Sequence, residues 1–93
     1  MDNAGLAAEA VNTYRQATEL VYRQLRTDLR AIADQADHAA ELAGDTYHQE
    51  LSEIADSEGR MRAEAHQRAA AAREAALAAF TAASAELQSG GPQ

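Results

Sequence analysis

Proline is absent from the first 91 residues of this 93-residue chain, and glycine interrupts residues 6–89 only at Gly44 and Gly59. Proline and glycine are the two poorest helix formers, whereas alanine, present 25 times, is the best. A helix-forming chain with so few breaks permits two folds: one continuous rod, or two long helices that meet at a turn. Gly44 lies almost at the midpoint, so its role decides between them.

Gly44 suits the left-handed backbone position that follows the C-terminus of a helix. Asp45 or Thr46 would then cap the next helix, and Thr46 with Gln49 has the spacing of a capping box. A continuous rod would hold the glycine inside a helix at a cost of about 1 kcal/mol, which is too small to exclude the rod. The sequence favours a hairpin with its turn near 44–46 and keeps the rod as the alternative.

Larger apolar residues recur at steps of three and four on both sides of Gly44, the spacing of one helix face. We predict an all-α fold, an antiparallel two-helix hairpin, with helix 1 over about 4–43 and helix 2 over about 46–88. Residues 1–88 would form a single domain, and residues 89–93 a flexible tail with a Gly-Gly-Pro stop. Gly59 would kink helix 2, end it before a restart capped by Ser57, or lie on its solvent face, and we favour the solvent face.

In a hairpin that turns near 44–46, facing residues have numbers that sum to about 90. Leu29 then faces Met61, whereas Ile32 faces Glu58 and breaks the pattern. The other predicted apolar pairs are Ala43–Tyr47, Ala39–Leu51, Ala36–Ile54, Leu25–Ala65, Val21–Ala69 and Tyr14–Ala76. Among the charges, Arg26 would face Glu64, and Arg15 would lie near Glu74.

The core of such a hairpin is thin, because alanine adds little buried area and larger apolar residues are few. A lone monomer of this kind is marginal, so we expect pairing with itself or with another helical protein. The product would be a homodimer or heterodimer, arranged as a four-helix bundle. The predicted seam consists of Leu25, Leu29, Ile32, Leu51, Ile54 and Met61, and the predicted partner face at the open end of Leu6, Val11, Leu77 and Phe80, with Tyr14 also in the interface.

Composition excludes several classes of function. The chain has no cysteine, so it has no disulfide, no thiol nucleophile and no zinc–thiolate site. A net charge of −7 disfavours nonspecific binding to nucleic acid. No apolar run is long enough to span a membrane, and the N-terminus lacks the pattern of a cleaved signal, so we expect a cytoplasmic protein. No catalytic triad or glycine-rich phosphate loop is visible, so we predict neither an enzyme nor a cofactor.

Acidic residues and histidines share one helical face near the turn. Asp34, His38, Glu41 and Asp45 follow at steps of four, three and four, and His48 lies just across the turn. Carboxylates and imidazoles on facing helices form metal sites in helical bundles, so this face is the one candidate metal site. The spacing is also typical of a charged outer face, and we interpret it in that way.

A stripe of arginines follows one side of helix 1, at Arg15, Arg23, Arg26 and Arg30. Such a stripe can meet phosphate or an acidic partner. Ion pairs within the molecule or between subunits are the simpler interpretation, and the sequence leaves the choice open.

A short acidic helical hairpin with glycine at its central turn resembles the Trp-x-Gly hairpin proteins exported by type VII secretion systems. The matching stretch is Leu42-Ala43-Gly44, with leucine where that family has tryptophan. The chain has no tryptophan, and its tail lacks the family's Tyr-x-x-x-Asp/Glu export signal. The resemblance implies a dimeric four-helix bundle that is secreted without a cleaved signal.

From these observations we predict a small helical module for protein–protein interaction, and the resemblance implies a type VII secretion-associated hairpin protein. Two alternatives stay open. One is a structural or scaffolding coiled coil of phage or plasmid origin, which a continuous rod would favour. The other is a carboxylate/His metal-binding bundle, which would assemble in a metal-dependent way.

Overall fold

The computed structural model describes residues 3–44 and 48–89. Helix α1 spans Asn3–Ala43 and helix α2 spans His48–Ser89, and the described residues contain no strand. The helices pack against each other along their length, and the Cα atoms extend 74 Å along the long axis but only 16 and 8 Å across it. A continuous 93-residue helix would be about 140 Å long. The antiparallel hairpin is therefore confirmed, and the rod is wrong.

Gly44 ends α1 in the left-handed conformation predicted for it. Its φ is +75°, and its backbone N–H donates a hydrogen bond to the carbonyl oxygen of Ala40 at 3.1 Å. This bond satisfies one of the carbonyl groups that a helix C-terminus leaves without a partner. The predicted caps Asp45 and Thr46 lie outside the described residues, as does the predicted start of helix 2 at 46. At its other end α2 includes Ser89, which we had assigned to the tail.

Replacing Gly44 with alanine is expected to lower the free energy of unfolding by about 1 kcal/mol, because a left-handed conformation strains any residue with a Cβ atom. No neighbour lies within 4 Å of the position that the new Cβ would take, so the loss is purely conformational. Urea denaturation followed by circular dichroism measures it. An unchanged stability would show that the turn does not require the left-handed conformation.

Gly59 lies inside α2 and is exposed, and the helix continues through it. Glu58 and Arg62 form an ion pair across this point, with 4.0 Å between their charged atoms. The solvent-face interpretation of Gly59 is confirmed, since α2 neither ends nor restarts there.

Replacing Gly59 with alanine is expected to raise the free energy of unfolding by about 1 kcal/mol, because alanine has the higher helix propensity. The added Cβ would meet nothing within 4 Å. The same urea denaturation experiment measures this change, and the two glycine variants serve as a matched pair because their free energies of unfolding are expected to change in opposite directions. A loss of stability in the Gly59 variant would contradict the description of this site as an open helical position.

The register between the helices differs from the one predicted. The residues in contact are Tyr14 with Phe80, Tyr22 with Arg73 and Asp28 with Arg68, so the paired numbers sum to 94, 95 and 96 instead of about 90. The direction in which side chains point contributes to the shift. Side chains lean toward the N-terminus of their own helix, so each contact involves residues about one position further along both helices.

At the observed sums of 94 to 96, Ile32 lies level with residues 62–64 and no longer faces Glu58. The pairing of large with small residues is kept, because Val21 and Leu25 of α1 line one narrow cavity with three alanines of α2, namely Ala65, Ala69 and Ala72. Alanine at these positions lets the two helices approach closely.

The core is as thin as the composition suggests. Among the described residues only Ile32, Ala36 and Ala65 are buried, with exposed fractions of 8%, 9% and 1%. The remaining predicted seam residues are half-buried: Leu25, Leu29, Leu51, Ile54 and Met61. A hairpin alone covers one side of its seam and leaves the two flanks open.

Candidate interaction surface

An apolar groove of about 460 Å³ opens between the helices at the end far from the turn. We call it the open-end groove. Its centre is an aromatic pair, Tyr14 and Phe80, whose ring centroids lie 5.3 Å apart at an angle of 41°. Both rings are half-buried. The other lining residues are Leu6, Glu9, Ala10, Thr13 and Ala17 of α1, and Ala76, Ala79, Ala83, Glu86 and Leu87 of α2.

Heptad-like spacing produces this groove. The α1 lining residues recur at steps of three and four, and three of the six α2 lining residues are alanines. Alanine walls leave space beside the aromatic pair, because a methyl group does not fill the gap between two helices. The walls are apolar, and the carboxylates of Glu9 and Glu86 are the charged groups at the groove.

The structure divides the predicted partner face between two sides. Leu6, Tyr14 and Phe80 line the open-end groove together. Leu77 does not join them, because it lines a shallow depression formed by α2 alone, beside Glu74, and is 50% exposed. Val11 is 52% exposed and lies outside both cavities.

Two leucines that sequence reasoning missed belong to this surface. Leu87 lines the groove opposite Leu6. Leu20 is 59% exposed and lies three residues after Ala17 and four before Gln24, both of which line interhelical cavities. Because residues three and four apart share a helix face, Leu20 continues the groove-lining stripe of α1. The signals that would have revealed them are the spacing of seven residues between Phe80 and Leu87 and the spacing of three between Ala17 and Leu20.

The ion pairs differ from those expected. Across the described parts of both helices, the one interhelical ion pair joins Arg68 to Asp28 at 3.6 Å. The predicted contacts of Arg26 with Glu64 and of Arg15 with Glu74 are not formed, because they assumed the wrong register. Arg15 instead donates a 2.6 Å hydrogen bond to Asn12.

The rest of the arginine stripe is unpaired. Arg23, Arg26 and Arg30 are exposed and make no ion pair within the part of the chain that the structure describes. On α2, Arg60 is likewise exposed and unpaired, and Arg73 lies over the ring of Tyr22, 5.4 Å from its centroid. These guanidinium groups are available to a partner.

Charge is divided into three zones along the hairpin. The acidic tip, residues 31–59, contains no arginine and eight carboxylates: Asp34, Asp37, Glu41, Asp45, Glu50, Glu53, Asp56 and Glu58. The arginine belt, residues 15–30 and 60–73, contains all eight arginines and only the carboxylates Glu19, Asp28 and Glu64. The open end, residues 3–14 and 74–89, contains no base and the carboxylates Glu9, Glu74 and Glu86.

The candidate metal face lies on the acidic tip. Asp34, His38, Glu41 and His48 are all exposed, and Asp45 lies outside the described residues. Within residues 3–44 and 48–89, no three carboxylate or imidazole side chains come together in a group able to hold a metal ion.

No known protein family, curated protein or solved structure matches this chain. Across residues 3–44 and 48–89, neither helix is apolar enough along its length to cross a membrane.

Proposed function

We propose that this protein is a helical interaction module and that the open-end groove receives a helix from a partner chain. The observation that supports the proposal most strongly is the position of Tyr14 and Phe80. Two aromatic side chains, which contribute most when they are fully covered, meet in the lining of an open groove and are only half-buried there. A third helix laid over them would remove these rings and the adjacent leucines from water.

The shape of the groove fits a helix better than an extended peptide. The exposed groups are side chains of two helices, and every backbone N–H and C=O in their interior is already bonded within the helix. A strand would therefore find no backbone partner. A helix would insert a row of side chains between the alanine walls, the helix-in-groove mode of recognition. The carboxylates of Glu9 and Glu86 would favour basic residues beside that row.

The proposed role is binding, and it agrees with the small extent of the core. With three buried residues in the described chain, the hairpin has little apolar burial to offset the entropy lost on folding. A partner helix would add the missing apolar contact, so association and folding stability would increase together.

Site-specific photo-crosslinking in the cells that naturally make the protein tests this proposal. A Thr13→p-benzoylphenylalanine variant carries the probe in the groove, and an Asp56→p-benzoylphenylalanine variant carries it on the acidic tip as the matched exposed control. We expect a discrete protein adduct from position 13, whether with a second copy or with another chain, and none from position 56. The absence of an adduct at 13, or equal adducts at both positions, would overturn the proposal.

The resemblance to exported Trp-x-Gly hairpins extends the proposal to a secretion-associated pairing. Its support is the antiparallel hairpin with Gly44 at the end of α1. If this extension holds, the protein accumulates outside intact cells without loss of an N-terminal segment. Mass spectrometry of the culture medium, with a cytoplasmic enzyme as the control for lysis, measures this. Retention of all of the protein inside the cells would contradict the extension and leave the interaction role unaffected.

A further inference from the structure

We infer that the helix received by the open-end groove is a basic, amphipathic helix of a different protein, about 22 residues long. The inference rests on the proposed function and adds the chemistry of the partner. Three features of the described residues support it. The groove continues toward the turn, its unpaired charges are carboxylates, and the arginines of α1 lie on the other side of the helix.

The open-end groove continues into a second cavity nearer the turn, which we call the middle cavity. Val21 and Asp28 line the middle cavity and follow Tyr14 of the open-end groove at steps of seven. The α2 residues that line the two cavities with the same step are Ala65, Ala72, Ala79 and Glu86. Residues seven apart lie on the same side of two helices that pack along their length.

The two cavities therefore form one groove on one side of the hairpin. Along α1 it extends over residues 6–28, which corresponds to about 33 Å of helix. The part of the hairpin that carries it, residues 6–30 and 64–87, is the open half. A partner helix of about 22 residues would cover both cavities at once.

The unpaired charges along this groove are negative. Glu9 and Glu86 line its open end, and both are exposed and make no ion pair within the described residues. In the middle cavity, Asp28 is already paired with Arg68 at 3.6 Å. Because carboxylates without a counter-ion attract basic groups of a partner, the basic residues of the partner helix belong over the open end.

The arginine stripe of α1 does not border the groove. Its four residues fall within an arc of about 80° around the helix, and the centre of that arc is about 150° from the centre of the α1 residues that line the open-end groove. On α2, Arg73 lies over the ring of Tyr22, and neither residue lines either cavity. Among the described residues, Arg68 is the one arginine that lines the two cavities.

A second copy of this chain is a poorer occupant than a basic helix. Helix α1 carries four arginines and six carboxylates, and α2 carries four arginines and seven carboxylates. Either helix of a second copy would bring net negative charge to Glu9 and Glu86, so self-pairing through the open half is the weaker association. A basic helix avoids that repulsion, and the net charge of −7 on the chain accelerates its approach.

Fluorescence anisotropy with two synthetic peptides tests the inference on the full chain. Both peptides are helices of about 22 residues with leucines at steps of three and four. The residues beside the leucines in the first three turns are lysines in the basic peptide and glutamates in the acidic peptide. At low salt the basic peptide is expected to bind at least roughly tenfold more tightly than the acidic peptide. Salt is expected to reduce the difference, because it screens exposed charges.

Two double variants locate the charges that attract the peptide. Glu9→Gln with Glu86→Gln removes both carboxylates of the open-end groove and is expected to raise the Kd of the basic peptide at least roughly fivefold. The matched control, Glu19→Gln with Glu74→Gln, removes two exposed carboxylates that line neither cavity. It is expected to raise the Kd by less than roughly twofold. Circular dichroism checks that both variants stay helical.

The length of the partner helix is tested by NMR with the basic peptide. Amide shifts are expected in both cavities, at Ala79 and at Ala72, and not along the arginine stripe. Shifts confined to the open-end groove would overturn the proposed length.

Equal affinity for the two peptides, tighter binding of the acidic peptide, or an equal loss in the two double variants would overturn the inference. If the basic peptide fails to bind at about 1 mM while position 13 still forms a protein adduct in cells, the interaction role stands and the basic partner fails. If neither the peptide nor any adduct is observed, both fail.

Discussion

Replacing Ala65 with leucine is expected to destabilise the hairpin by about 2–3 kcal/mol, the typical effect of inserting a larger side chain into a packed core. Ala65 is the least exposed of the described residues, at 1%, and it lines the cavity shared with Val21 and Leu25. The three additional carbon atoms would push the helices apart where they approach most closely. Thermal and urea denaturation followed by circular dichroism measures the change.

Ala63 provides the matched control for this substitution, because it lies two residues away on the same helix and is exposed. Ala63→Leu makes the same chemical change without entering the seam, so a change of less than about 0.5 kcal/mol is expected. Equal effects at 63 and 65 would contradict the placement of Ala65 in the interhelical contact.

Replacing Ile32 with alanine is expected to lower the free energy of unfolding by about 2–3 kcal/mol, because Ile32 is the largest of the buried side chains and its loss leaves a cavity. Since a domain of this size has little stability to lose, a large share of the chains is expected to unfold at 37 °C. The fraction of helix at 37 °C, measured by circular dichroism, reports this directly.

Leu42 is the appropriate comparison for Ile32, since it is 76% exposed on the same helix. Leu42→Ala is expected to change stability by less than about 0.5 kcal/mol, and its better helix propensity would offset part of any loss. If Leu42→Ala unfolds as readily as Ile32→Ala, burial in the hairpin does not determine how much each residue contributes to stability.

The fold was predictable from the sequence because local signals agree. Gly44 is the only glycine between Gly5 and Gly59, and the apolar stripe restarts on its far side. The structure confirms the break at Gly44, and the six residues predicted for the seam are buried or half-buried. Helix propensity, patterning and turn chemistry all indicate the same hairpin, which is the condition under which sequence reasoning succeeds.

The register was not predictable from the same signals. A stripe with steps of three and four matches itself again after a shift of one turn, so sums of 90 and 94 both align apolar residues. The direction in which the side chains lean contributes to the choice between them. The correct register is indicated by large side chains at the open end. Leu6 and Leu87, which line the same groove, have numbers that sum to 93, and Tyr14 and Phe80, which are in contact, have numbers that sum to 94.

The candidate site was predictable only in part for the same reason. Leu6, Tyr14 and Phe80 come together at the open end, but Leu77 was assigned to the same face and lies on another. Leu77 and Phe80 are three residues apart and so lie only about 60° apart around α2, which is why the sequence assigns both to one face, and only the observed packing shows that Phe80 is the one that contacts α1. The charged segments are visible in the sequence. They form a single acidic tip only because the hairpin places residues 31–43 beside residues 48–59.

Hydrogen exchange measured by mass spectrometry at 2 and 200 µM purified protein tests most directly whether the open half is the surface through which the hairpin pairs. The account predicts that amides in residues 6–30 and 64–87 exchange more slowly at the higher concentration, while those in residues 34–43 and 48–58 exchange at the same rate. Concentration-independent exchange throughout would exclude pairing with a second copy, and slowing confined to the acidic tip would contradict the assignment of the open half as the pairing surface.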